Sequence, residues 1–126
     1  MLTLLPTPQG VEAADLNSYS AHMAAVHGRR GGEVLSHECE TATPAHVADC
    51  TLLVRFAKAG HVELAVARQM ATKRGLVAMA LVHREYGEGA AARISAWTKG
   101  DGQRRIADFI DWADRLGLAM DAAPQP

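Results

Sequence analysis

Aromatic residues make up only 5% of the 126-residue chain, two each of Trp, Tyr and Phe, so a core here must be built from Ala, Val, Leu and Met. Cysteine is just as scarce. Cys39 and Cys50 are the whole complement, too few for a disulfide scaffold, and they fit a reducing compartment. No run approaches the roughly 18 to 20 apolar residues of a membrane span. The opening MLTLLPTPQG lacks the basic start and long apolar middle of a signal peptide. A cytoplasmic protein with no membrane partner is expected. Charge of one sign is missing too: the net charge is −1, which does not by itself suggest a nucleic-acid partner. Regular alternating runs of strand formers are not evident, and neither is an internal repeat or a low-complexity tract. The fold class expected is therefore all-α.

What is present is a 48% hydrophobic share, enough for one ordinary domain at this length. The lead-in with Pro6 and Pro8 should be extended, and the Ala-Ala-Pro-Gln-Pro end a frayed tail. Leu16, Tyr19, Met23 and Val26 recur at spacings of three, four and three, which predicts a helix over about 11–27, as a core face or a dimer seam. His27-Gly28-Arg29-Arg30-Gly31-Gly32 reads as a flexible connector, and 33–38 as a short strand or extended linker. Thr43-Pro44 supplies an N-cap and a preset φ for a helix whose Val47, Cys50, Leu53, Val54 and Ala57 share a face, ended by Gly60. A further helix follows from about His61. Three more segments close in glycine or a glycine-bearing turn, and the last is the clearest: Ile106, Phe109, Ile110, Trp112, Ala113 and Leu116 form one stripe opposite Asp108, Asp111 and Asp114. The chain thus divides into an N-terminal extension (1–43), a helical domain (44–118) and a tail (119–126).

Gly75-Leu76 followed by Leu81, then Ile94-Ser95-x-Trp97-x-x-Gly100, then the apolar spacing from Ile106 to Leu118 resemble the Cro/repressor-type (XRE-like) helix-turn-helix family. The lambda CII type of phage activator is a close second. The likeness covers about half the chain. It implies a lambda-repressor-like helix-turn-helix unit and a DNA-binding transcriptional regulator of phage or mobile-element type, working as a homodimer on double-stranded DNA. On that resemblance Ala91, Ala92, Arg93, Ser95 and Lys99 lie on or near the recognition helix, and Lys73, Arg74, Arg84, Arg104 and Arg105 near the phosphates. Residues 62–118 hold nine basic against seven acidic side chains, and residues 1–61 four against six.

A second class of function is a small helical protein-binding module or inhibitor that keeps the helix-turn-helix shape without base readout. Ala90, Ala91 and Ala92 favour it, since alanine offers a base edge no hydrogen bond. His37, Cys39, His46 and Cys50 are zinc-ligand types within fourteen residues, but Cys39-x6-His46-x3-Cys50 contains no paired knuckle. Cys39 with His37 or His46 is the one nucleophile and base candidate, and no third group orients the base. No enzyme, no metal and no cofactor is expected.

Overall fold

The computed structural model describes residues 2–5 and 16–122, with side chains from Leu16 onward. In chain order it runs β1 (Leu2–Leu5), α1 (Leu16–Arg29), β2 (Gly32–Glu40), β3 (Ala48–Lys58), β4 (His61–Thr72), β5 (Gly75–Tyr86), α2 (Ala90–Lys99) and α3 (Asp101–Ala122). The strands form one sheet in the order β1-β5-β4-β3-β2. Every neighbouring pair is antiparallel. The molecule is α+β, not all-α. The helices expected over 44–60, from about His61 and in the next glycine-closed segment are β3, β4 and β5, so α2 follows a strand instead of a helix, and the Cro/repressor-type resemblance fails with it. Residues 11–15 of the first expected helix, most of the proline lead-in and the tail from 123 lie outside the described residues.

The physical reason is that three strands are buried on both faces. Such strands read as near-continuous apolar runs, and periodicity alone does not separate these from a buried helix. The pleat then sorts the side chains. On one face Val66, Met70, Val77, Met79, Leu53 and Leu81 meet Ile106, Phe109, Ile110, Ala113, Leu116 and Met120 of α3. On the other, Leu52, Val54 and Ala67 meet Met23 and Ala24 of α1, while Cys50, Ala71 and Leu76 meet Leu16 and Tyr19. Burying a Leu or Val side chain stabilises by about 1.5–3 kcal/mol, so a helix on each face is how so aromatic-poor a chain gathers a core.

The glycines that resembled helix caps close hairpins instead. Ala59-Gly60 joins the paired Lys58 and His61, and Lys73-Arg74 joins the paired Thr72 and Gly75. Gly60 and Gly75 take φ of 84° and 113°, values that side-chain-bearing residues adopt at a cost. Among the described residues no helix is long and apolar enough to cross a membrane.

Candidate functional site

The residues expected to contact DNA do not gather on one surface. Lys73 and Arg74 sit in the β4–β5 turn, where the Lys73 amide donates to Asp121 Oδ1 at 2.8 Å. Arg84 and Arg93 lie at or beyond the far end of β5. About ten strand residues at ~3.3 Å each separate the two groups. Arg84 donates through Nε to Glu63 Oε1 at 2.9 Å. Arg93 donates to Glu85 Oε1 at 3.1 Å, to the Glu88 carbonyl at 2.8 Å and to the Tyr86 carbonyl, so it staples the loop between β5 and α2. Ala91, Ala92, Ser95 and Lys99 are exposed on α2, and Ile94 is buried. Arg104 and Arg105 lie early in α3, and Arg105 borders a shallow groove with Leu81, Phe109 and Trp112. The Phe109 and Trp112 rings are 6.4 Å apart.

On the α1 face the helix covers β2 and β3 but leaves the upper part of β4 and β5 open. A cleft of about 320 Å³ results. Its floor is Val54, Ala65, Ala67, Ala80 and Val82. Leucines at the three alanine positions would fill it. Phe56 forms a side wall, with His27 edge-on at 5.8 Å and Lys58 Nζ 5.4 Å from its ring centre. Arg30 and Lys58 complete a basic rim around one carboxylate, Glu63, which is 7% exposed. Burial pushes the Glu63 carboxyl up, but hydrogen bonds from Arg84 and His61 and the Lys58 charge more than offset this, and it is held below the usual range. Burial, then the charge of Arg30, lowers His27, which favours the neutral imidazole.

A second polar group is buried on the α3 face. Arg68, 7% exposed, donates to Thr51 Oγ1 and Asp114 Oδ1, both at 2.5 Å, and its Nη2 lies 3.2 Å from Asp49 Oδ2. Asp49 is 2% exposed, and burial raises its carboxyl despite Arg68 alongside. His46 Nε2 approaches Glu40 Oε2 at 3.3 Å and Asp49 Oδ2 at 3.7 Å. Glu40, Asp49, Arg68 and Asp114 border an open cleft with Ser36, Glu38 and Thr51. Sequence reasoning passed over Glu40, Asp49 and Glu63, and took Arg68 to face outward. The signal was there: each of the last three is a charge inside an apolar strand, and a buried charge needs a partner.

The zinc-ligand types divide between the faces. Cys39 and Cys50 are opposite one another in the β2–β3 register and form a disulfide, with Cα atoms 4.0 Å apart. Both cysteines of the chain are therefore paired with each other rather than free. His37 Nε2 lies 2.9 Å from Ser20 Oγ of α1 and 3.6 Å from Cys39 Sγ. His46 sits apart with Glu40 and Asp49. No family model, curated protein or solved structure matches the chain.

Proposed function

We propose that the chain is a binding module that holds an amphipathic anion, an apolar tail with a carboxylate-type head, in the alanine-floored cleft of the α1 face. The observation that carries this reading is the pairing of an apolar floor of Val54, Ala65, Ala67, Ala80 and Val82 with a rim of Arg30 and Lys58. Ligand sites are characteristically concave and mostly apolar, with a few polar groups that set orientation. Glu63 is already engaged by Arg84, His61 and Lys58, so the rim keeps an excess of positive charge. Calorimetric titration with dodecanoate, dodecylammonium and dodecanol tests it. Dodecanoate should bind at one per chain and most tightly. Ala67→Leu should weaken it at least about tenfold, or ~1.4 kcal/mol, and Arg30→Glu should reduce the preference for the anion over the cation. Equal affinity for all three, or no effect of Ala67→Leu, would reject the reading.

A protein partner is the second reading, and it has its own observation. β2 ends the sheet with its outer edge unpaired among the described strands, and Val34 and Leu35 beside its bulge are 37% and 44% exposed. Such an edge is a template for strand addition, including by a second copy. Light scattering of the wild type and Leu35→Lys tests the homodimer: a dimer lost in the variant supports it, and a wild-type monomer at high concentration removes it. The helix-turn-helix that the regulator expectation relied on is absent, since α2 follows directly on β5. The cross-link between Cys39 and Cys50 favours an oxidising compartment over the cytoplasm.

A further inference from the structure

Residues 43–46 form a turn whose polar groups hold each other. The Thr43 amide donates to the His46 carbonyl at 2.9 Å and the His46 amide to the Thr43 carbonyl at 3.3 Å. Thr43 Oγ1 accepts from the Ala45 and His46 amides at 3.1 and 3.2 Å and lies 2.6 Å from His46 Nδ1. One ring nitrogen is thereby pinned, and Nε2 is aimed between Glu40 Oε2 and Asp49 Oδ2, at 3.3 and 3.7 Å. All three atoms lie within 4.8 Å of one another.

Three of the four buried side-chain atoms that make no hydrogen bond among the described residues fall in this one cluster: His46 Nε2, Asp49 Oδ2 and Arg68 Nε. Asp49 is 2% exposed, and its Oδ2 makes no hydrogen bond, only ionic approaches of 3.2 Å from Arg68 Nη2 and 3.7 Å from His46 Nε2. Buried polar atoms without a hydrogen bond are uncommon, and two side by side need a physical reason. The two distances from His46 Nε2, 3.3 and 3.7 Å, are close to the separations of atoms that share an ion. Bonds of about 2.0–2.2 Å in a tetrahedron place ligand atoms roughly 3.3–3.6 Å apart. Charge agrees: Glu40, Asp49 and Asp114 against Arg68 leave two negative charges when His46 is neutral, the complement of a divalent ion. Arg68 also shares its charge with Asp114, which moderates its repulsion of a cation at Asp49.

We propose that Glu40, His46 and Asp49 form a three-ligand site for a divalent transition metal such as zinc, on the face of the sheet opposite the amphipathic cleft. One imidazole and two carboxylates are a ligand set that zinc accepts, with a fourth position left for solvent or another molecule. Thr43 is the positioning residue, because it engages the ring nitrogen that does not face the carboxylates and so orients the imidazole, as outer-shell partners of metal-bound histidines do. The site stands on different residues from the proposed anion cleft, and the two readings fail independently.

The test is titration of the oxidised full-length chain with Zn²⁺ by calorimetry and with Co²⁺ by visible absorption. One ion per chain is expected, with the intense visible bands of tetrahedral Co²⁺. His46→Ala and Glu40→Gln, both at partly or fully exposed positions, should each weaken binding more than about 10- to 100-fold, beyond the usual effect of losing an outer-shell partner. Thr43→Val should weaken it about tenfold, and Thr43→Ser should restore it. The Cys39–Cys50 region is the control: His37→Ala should leave binding unchanged. Because Asp49 is buried beside Arg68, Asp49→Asn is read only after its fold is checked by circular dichroism. Absence of binding at millimolar metal, or binding that survives His46→Ala but is lost in His37→Ala, would overturn the proposal.

Discussion

At the scale of single residues, the molecule is defined by a few charges kept inside an alanine- and valine-rich sheet. Arg68 is the most consequential. Thr51, Asp49 and Asp114 converge on its guanidinium, so Arg68→Met leaves the buried Asp49 carboxylate without its cation. Removing one partner of a buried pair costs about 3–5 kcal/mol, and urea unfolding should show a loss of that order. Adding Asp49→Leu should recover a good part of it, because an apolar replacement of the pair is often close to neutral. The pH dependence of these groups has opposite signs. Glu63 is held below its usual range, so its stabilisation is present above the ordinary glutamate pKa and lost as pH falls through the lowered value. Asp49 is raised, so its penalty is complete above the raised value and fades as pH falls toward the ordinary aspartate value. His27 is lowered, and stability should decline as pH falls below about 6.5, where the unfolded chain takes up the proton first. Stability measured between pH 7.5 and 5.5 in the wild type and His27→Gln isolates that last contribution; a wild-type slope no steeper than the variant's would contradict it.

Among the elements, α2 and α3 follow from the sequence, β2 follows in part from the short strand or extended linker read over 33–38, and β3, β4 and β5 do not. The stripe Ile106, Phe109, Ile110, Ala113 and Leu116 reads as a helix because only one side of α3 meets the sheet, and those residues line it. The first helix is legible for the same reason, since Leu16, Tyr19 and Met23 touch β3 and β4 from one side. In β3, by contrast, Leu52 and Val54 serve the α1 face while Leu53 serves the α3 face. With both faces buried, alternation disappears, and the i, i+3, i+4 spacing found in Val47, Cys50, Leu53 and Val54 is a product of a filled run. The candidate sites were hidden by the same circumstance: Glu63 meets Arg84, and Asp49 and Thr51 meet Arg68, only through strand pairing of residues up to 21 positions apart. The corner between α2 and α3 rests on a glycine. A Cβ on Gly102 would sit 2.5 Å from the Trp97 carbonyl oxygen and 2.6 Å from its ring. Gly102→Ala should therefore destabilise the fold by about 1–3 kcal/mol as an overpacked site. It should also disturb the stacking of Trp97 on His83, now at 3.9 Å between ring centres. Tryptophan fluorescence and thermal melting read both effects, and an unchanged melting temperature would mean that the corner is looser than described.

For the molecule as a whole, the sheet is a divider with a different chemistry on each face. The α1 side carries the disulfide and the alanine-floored cleft, and the α3 side carries the main core and the buried Arg68 cluster. The disulfide ties the β2 edge to β3 across a loop of eleven positions. In the chain-entropy account, closing a loop of that size stabilises by about 3 kcal/mol. Reduction should accordingly lower the denaturation midpoint while leaving the secondary structure in place, which circular dichroism with and without a reductant checks. The division of faces also gives the anion-binding reading its most direct measurement, a methyl-resolved NMR titration of the folded chain with dodecanoate. The expected result is a saturable shift of the Ala65, Ala67, Ala80 and Val82 methyls, with Val66, Val77 and Met79 on the α3 face unmoved. Shifts confined to the α3 face or to the groove beside Trp112, or no saturable shift at all, would contradict it.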